Sequence, residues 1–312
     1  MTEFKHTSVL LDEVIQMLDI KENGIYVDGT LGGGGHASAI CAALTPEGRF
    51  IGIDRDKDAL DAATRRLEPY RCRKDYVQCN YAEIKQALAS LRIKTIDGAV
   101  LDLGVSSFQL DNPERGFSYM QKSPLDMRMN IADALTAYDV VNTYAEKELA
   151  NLIKAYGEER WATRIASFIV TARRDKPIED TEALVDLIKA AIPASARREG
   201  PHPAKRTFQA IRIEVNDELN RLKTAVSEFC DVLAPGGRLA VISFHSLEDR
   251  IVKDIFATRC NPCTCPPGLP MCVCGNKADI KKVTGKPITA SERELEENPR
   301  ARSAKLRVIE KL

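Results

Sequence analysis

The stretch Tyr26-Val27-Asp28-Gly29-Thr30-Leu31-Gly32-Gly33-Gly34-Gly35-His36 decides the fold class of this chain. A short apolar run, Ile25-Tyr26-Val27, ends in an acid and a glycine cluster, and a helical pattern from Ala37 to Leu44 follows at once. Glycines at a strand-to-helix turn let the backbone bend sharply and come close to a ligand at the carboxyl edge of a parallel sheet. Working outward, Arg49–Ile53 predicts a second strand that ends at Asp54, and Asp56–Leu67 a charged amphipathic helix. A third strand is expected at Asp75–Cys79, a helix at Tyr81–Leu91, and a fourth strand at Ile96–Leu101, ending at Asp102. Upstream, Ser8–Leu18 has apolar residues at helical spacing, with Thr7 or Ser8 placed to cap it. Strands alternating with helices predict βαβ units and a parallel sheet.

From about Ser106 to Pro203 the rhythm breaks. Helical patterns occur at Ala145–Tyr156, Arg160–Arg174 and Thr181–Ala191, with no strand between them. The α/β rhythm then resumes: a helix at Asn216–Leu233, a turn at Ala234-Pro235-Gly236-Gly237, and a buried strand at Arg238–Phe244. Two weaker strands are expected near Lys281–Thr284 and Lys305–Ile309. The economical reading is one doubly wound α/β domain, residues 1–107 and 208–312, split by a mostly helical insertion at 108–207. Apolar residues make up 44% of the chain and charged residues 29%, an ordinary core-forming composition. No apolar run approaches the ~20 residues of a membrane span, and Met1–His6 lacks the plan of a signal peptide, so a cytoplasmic protein is expected. Lys plus Arg equals Asp plus Glu at 45 each, so affinity for nucleic acid has to come from local basic patches.

The glycine turn alone admits two cofactors. Gly32-Gly33-Gly34-Gly35-His36-Ala37 also fits the dinucleotide pattern G-x-G-x-x-A, and Asp54 can hold ribose hydroxyls in either case. Three features favour S-adenosylmethionine, so that the fold reads as class I (Rossmann-like). Asp28 precedes the glycines, as in class I methyltransferases. The fourth strand ends in Asp102 on the same sheet edge. Leu233-Ala234-Pro235-Gly236-Gly237-Arg238 is the usual approach to strand five of that class. A nicotinamide dehydrogenase would also need a proton donor over the ring, and none is indicated. A fold-only RNA-binding or assembly factor is the non-enzyme alternative.

All four histidines sit in distinctive segments: Lys5-His6-Thr7-Ser8-Val9-Leu10, the glycine turn, Gly200-Pro201-His202-Pro203-Ala204-Lys205-Arg206-Thr207-Phe208-Gln209-Ala210, and Ile242-Ser243-Phe244-His245-Ser246-Leu247-Glu248-Asp249-Arg250. Further motifs are Asp102-Leu103-Gly104-Val105-Ser106-Ser107, Gly116-Phe117-Ser118, Pro124-Leu125-Asp126-Met127-Arg128-Met129, Tyr156-Gly157-Glu158-Glu159-Arg160 and Asn298-Pro299-Arg300-Ala301-Arg302-Ser303. With these the chain resembles, over almost its whole length, the MraW/RsmH family of bacterial 16S rRNA cytosine-N4 methyltransferases. The resemblance implies S-adenosylmethionine as donor and, as acceptor, the N4 amine of a decoding-centre cytosine in 16S rRNA of the small ribosomal subunit. It also implies cofactor contacts from Gly34, Gly35 and His36 at the turn and from Asp54 at the ribose. Tyr81, where the family more often shows Phe, would lie beside the adenine, with Asp102 and Gln109 completing the pocket. Gly33 is assigned no contact.

An exocyclic cytosine amine is a poor nucleophile because its lone pair is delocalised into the ring. Catalysis must therefore orient it and accept its hydrogen bonds. Many amino-methyltransferases place Asn/Asp-Pro-Pro-Tyr at the end of strand four. This chain has Asp102-Leu103-Gly104-Val105, which leaves the amine acceptor open and makes Asp102 the first candidate catalytic residue. His245 with Glu248 can serve the site or cap a helix, and Asp126 with Arg128 can form a structural ion pair. The target cytosine would have to be splayed out of folded RNA. Phosphate contacts are expected from Arg197, Arg198, Lys205, Arg206 and Arg212, from Arg173, Arg174 and Lys176, and from the tail with Arg300, Arg302, Lys305 and Arg307. Cys41, Cys72, Cys79 and Cys230 read as small buried thiols. Cys263-Thr264-Cys265 and Cys272-Val273-Cys274, with Cys260 just before, can hold zinc, stay reduced or form a redox-sensitive pair. Nothing in the sequence sets an oligomeric state.

Overall fold

A computed structural model describes residues 8–106, 109–110, 112–198, 200, 202–266 and 271–312. They form two compact units, Met1–Gly104 with Leu219–Leu312 and, between these, Val105–Glu218. Among the described residues no helix is long and apolar enough to cross a membrane.

The first unit opens with α1 (Leu11–Leu18) and then alternates β1 (Ile25–Asp28), α2 (Gly35–Ala43), β2 (Arg49–Asp54), α3 (Lys57–Leu67), β3 (Arg73–Gln78), α4 (Ile84–Ser90) and β4 (Ile96–Asp102). Its alternating apolar runs make strands that are buried on both faces, as β1 and β4 are. Strands β1 to β4 are parallel, with Val27 opposite Ile51 on one side and Ala99 on the other. At the N-terminus of α1 the structure differs from expectation. The residue before it is Leu10, in the left-handed region with φ 53° and no side-chain cap, while Ser8 packs against the glycine turn instead. Asp56 caps α3 by accepting from the Asp58 N–H. The segment from Tyr81 begins as a 3-10 turn, Tyr81–Glu83, before α4.

The second unit contains α5 (Ala137–Thr143), α6 (Glu146–Gly157), α7 (Ala162–Ala172), α8 (Thr181–Ala191) and α9 (Lys205–Asn216). Its core is its own, built from residues such as Val140, Leu149, Ile165, Leu184, Phe208 and Ile211. A boundary after residue 207 would cut α9, whose Phe208, Ile211 and Val215 lie in this core. The unit therefore runs to Glu218.

The chain then returns to the sheet through α10 (Glu218–Val232), β5 (Leu233–Ser243), α11 (Ser246–Cys260), β6 (Ile280–Lys282), α12 (Glu292–Glu297) and β7 (Lys305–Lys311). The strand order is β3-β2-β1-β4-β5-β7-β6, with β7 antiparallel to both β5 and β6. Pro235-Gly236-Gly237 makes an irregularity at the start of β5, between the pairings Ile96 to Leu233 and Gly98 to Arg238. The sheet reverses direction of winding between β1 and β4, where open α/β sheets place their ligands.

Candidate functional site

The carboxyl ends of β2, β1 and β4, three neighbouring strands, carry Asp54, Asp28 and Asp102. The glycine turn leaves β1 in their midst. Its form is set by close approaches that a side chain would block. A Cβ on Gly35 would meet the Ser8 Oγ at 1.7 Å, and Gly34, at φ +73°, would meet Ala63 at 3.3 Å. Nothing lies within 4 Å of a Cβ on Gly33. Asp54 holds the turn: one carboxylate oxygen accepts the Gly32 N–H at 2.8 Å and the other the Asp56 N–H at 2.9 Å. A carboxylate has lone pairs left over after two such bonds, so a ribose hydroxyl can still donate to it.

Thr30, which the sequence reading did not single out, ties β1 to β4. Its N–H donates to Asp28 at 3.0 Å and its Oγ1 accepts from the Asp102 N–H at 2.6 Å. Tyr81 is half-buried beside this junction, where its Cβ is 3.4 Å from the position of a Gly29 Cβ. Asn80 sets its approach by accepting the Ala82 N–H.

His36 is buried, and its Nε2 lies 3.0 Å from the Val9 carbonyl. A carbonyl only accepts, so Nε2 carries the proton. Burial lowers the imidazole pKa, which keeps the ring neutral, and Nδ1 stands 3.8 Å from Asp102 Oδ2. The acids are displaced in the opposite direction. Burial raises Asp28 to about 7. Burial, helped by the charge of Glu248, also raises Asp102 to about 7. Asp54 is raised by burial despite its two backbone donors. Asp102 Oδ1 is buried without a hydrogen-bond partner among the described residues.

Such a cluster is unfavourable by itself, since it crowds one buried and two half-buried acids together at one sheet edge. It suits a ligand that is cationic near the glycine turn, and it opposes a pyrophosphate, which would add two negative charges to the same place. The orphaned Asp102 Oδ1 fits S-adenosylmethionine, with its sulfonium and ammonium groups, better than a dinucleotide.

Other candidates resolve differently. Glu248 Oε2 accepts the Phe244 N–H at 2.8 Å and the His245 N–H at 3.3 Å, and His245 Nδ1 accepts the Glu248 N–H at 3.5 Å. This is a capping box at the start of α11. His245 Nε2 comes within 3.2 Å of Glu248 Oε1 but is not aligned for a hydrogen bond. Asp126 and Arg128 form a bidentate pair, closed by the Nη2–Oδ2 contact at 2.6 Å, and Arg128 also donates to the carbonyls of Ile131 and Asp133. Gln109 belongs to the helical unit, where it is buried and its Oε1 accepts the Ser106 N–H. His202 stacks on Tyr119 with ring centroids 4.7 Å apart. His6 and Ser107 lie outside the described residues.

Several of the expected phosphate contacts have internal work, Arg206 on the Glu158 carbonyl and Lys176 on Glu179 among them. Arg212 forms a bidentate pair with Glu218, Arg173 donates to the Val141 and Tyr144 carbonyls, and Lys305 and Arg307 both reach Asp249. Arg197, Arg198, Lys205, Arg206 and Arg174 are exposed on the helical unit, and Arg302 is exposed near the tail. Two groups of the described residues have metal-ligating side chains in proximity, one of them Cys263, Cys265, Cys272 and Cys274.

A family model described as the MraW methylase family matches residues 3–312. The chain is 54% identical over 312 residues to the ribosomal RNA small subunit methyltransferase H of Ruminiclostridium cellulolyticum, covering 99% of this chain and 100% of that protein. It is 54% identical over 310 residues to the protein of the same name from Clostridioides difficile, with coverage of 99% and 100%. A ribosomal RNA small subunit methyltransferase H 2 from Agathobacter rectalis is 56% identical over 310 residues, with coverage of 99% on both sides.

Proposed function

Because this chain belongs to the MraW methylase family, we propose that it methylates the exocyclic N4 amine of a decoding-centre cytosine in 16S rRNA of the small ribosomal subunit, in the cytoplasm. The coarser statement, an rRNA small subunit methyltransferase, follows from relatives that match it end to end. The observation that carries the mechanism is the buried acid cluster at the glycine turn, with its orphaned Asp102 Oδ1.

S-adenosylmethionine supplies an electrophilic methyl group on a positively charged sulfur. Gly34, Gly35 and His36 would line its cradle, Asp54 would hold its ribose, Tyr81 would flank its adenine, and Asp102 would complete this side of the pocket. Asp28 and Asp102 supply the negative charge that favours a cation there.

Asp102 has a second task. An acceptor on the amine N–H directs the nitrogen lone pair outward, and positive charge builds on that nitrogen as the methyl arrives. Oδ1 of Asp102 is such an acceptor. A carboxyl group with a pKa of about 7 is also matched to take the proton that the methylated amine then loses. The exposed arginines and lysines of the helical unit hold the phosphates of the substrate RNA.

The test uses labelled S-adenosylmethionine with small subunits and with free 16S rRNA, both from cells lacking this activity. Label in cytosine N4 is expected in one of the two. No label in either substrate refutes the proposal and leaves an assembly factor that keeps only the fold. An Asp102→Ala variant with full activity and full cofactor affinity would remove Asp102 from both of its roles.

A further inference from the structure

The catalytic reading makes no use of the segment between α11 and β6. Its base is fixed by ion pairs and a hydrogen bond. Arg259 forms a bidentate pair with Asp279, Lys311 reaches the same carboxylate at 3.0 Å, and Asn276 Nδ2 donates to the Pro262 carbonyl at 3.1 Å. Within that closed base lie Cys263, Cys265, Cys272 and Cys274. The Sγ atoms of Cys272 and Cys274 are 3.4 Å apart, those of Cys263 and Cys272 3.6 Å, those of Cys265 and Cys272 3.8 Å, and those of Cys263 and Cys274 3.9 Å. All four lie within 4.8 Å of one another.

Four thiols have little reason of their own to converge. The S–H group is a weak donor and a weak acceptor. Cys263 and Cys272 are exposed, so burial does not gather them either. An ion bound at the centre does. A tetrahedral site with metal–sulfur bonds of ~2.3 Å separates its sulfurs by about 3.8 Å, and the four measured separations bracket that value. The spacing suits one ion, because a cluster of several irons spreads its cysteine sulfurs further apart than a single centre does. Sulfur-only ligation excludes calcium and magnesium, which take oxygen. The Val273 N–H points at Cys265 Sγ at 3.3 Å, the kind of backbone donor that steadies a metal-bound thiolate.

We propose that Cys263, Cys265, Cys272 and Cys274 bind one zinc ion in a tetrahedral four-thiolate site that staples the segment between α11 and β6. With four protein ligands the site has no open position, so its task is structural and separate from methyl transfer. The ion anchors a stretch long enough that, unaided, it would be costly to order.

The test measures metal in the full-length protein, purified under reducing conditions without chelators. About one zinc per chain is expected, falling to below about 0.1 in a Cys263→Ser, Cys272→Ser variant. Cys260→Ser, which alters the neighbouring thiol outside the set, is expected to keep its zinc. Cobalt added to the metal-free protein should give the intense visible bands of tetrahedral cobalt with thiolate charge transfer. Metal removal should speed tryptic cleavage after Lys277 by more than about tenfold, as the staple opens. Zinc well below one per chain together with a six-coordinate cobalt spectrum overturns the site. Stoichiometric iron in place of zinc overturns the choice of metal. Equal zinc loss in Cys260→Ser and in the double variant overturns the ligand set.

Discussion

Replacing Asp102 with Asn removes an ionisable group that burial displaces strongly and whose Oδ1 has no hydrogen-bond partner among the described residues. In the folded protein its pKa is raised from 3.8 to about 7, so the folded state holds a proton that the unfolded chain has already released. Between those two values each step up in pH favours unfolding, and above about 7 the cost is constant. Asn does not titrate, so the variant escapes this loss. From pH 5 to pH 7 the span is two units at 1.36 kcal/mol each, or about 2.7 kcal/mol. The Asp102 side chain keeps 29% of its surface in contact with solvent, which lowers the expectation to about 1–2 kcal/mol. Urea denaturation of both ligand-free proteins at pH 5, 6, 7 and 8 measures the difference. Asp28 titrates in both, so the comparison isolates Asp102 together with its coupling to Asp28. The Asn variant should gain on the wild type as pH rises to 7 and hold that lead at pH 8. Calorimetry supplies the functional half. Wild-type affinity for S-adenosylmethionine should rise with pH through about 7, as the carboxylate ionises, and the variant should lose this dependence. The variant should also lose more affinity for S-adenosylmethionine than for S-adenosylhomocysteine, whose sulfur is uncharged. A stability gap that does not change with pH, or equal losses for the two ligands, would refute a site built on buried negative charge.

The glycine turn gives a paired test. Gly34→Ala forces a left-handed residue and a contact at 3.3 Å with Ala63, so urea denaturation should show a loss of about 1–2 kcal/mol, whereas Gly33→Ala should stay within about 0.5 kcal/mol. Thr30→Val deletes the acceptor for the Asp102 N–H and should cost about 1–3 kcal/mol by the same measurement, with weaker cofactor binding by calorimetry. Glu248→Ala leaves the Phe244 and His245 N–H groups without their carboxylate and should cost about 1–3 kcal/mol. Glu248→Gln, which keeps an acceptor, should recover part of it.

Local pattern was enough to read most of the sheet. Three of the four parallel strands of the first half, β1, β2 and β4, fall where the apolar runs ending in Asp28, Asp54 and Asp102 put them, because a strand buried on both faces has to be largely apolar. What escaped was the identity of local partners. Helix α9 has a helical apolar pattern of its own, in Phe208, Ile211 and Val215, but its allegiance to the helical core is a tertiary fact. Arg173, Arg212, Lys305 and Arg307 looked like phosphate ligands because sequence shows charge and not the carbonyl or carboxylate that meets it.

The site divides along the same line. That acids end three strands was visible, whereas their adjacency depends on the order β2-β1-β4, which no local pattern encodes. Adjacency changes their chemistry. One acid at a strand end is an ordinary hydrogen-bonding residue, but buried neighbours with a neutral histidine between them form a seat for positive charge. The dinucleotide alternative is disfavoured on that electrostatic ground, which the glycine pattern could not supply. The cysteines repeat the lesson at smaller scale. Spacing leaves zinc, free thiols and a redox pair open, and the convergence of four sulfurs within 4.8 Å of one another is the observation on which the zinc proposal rests.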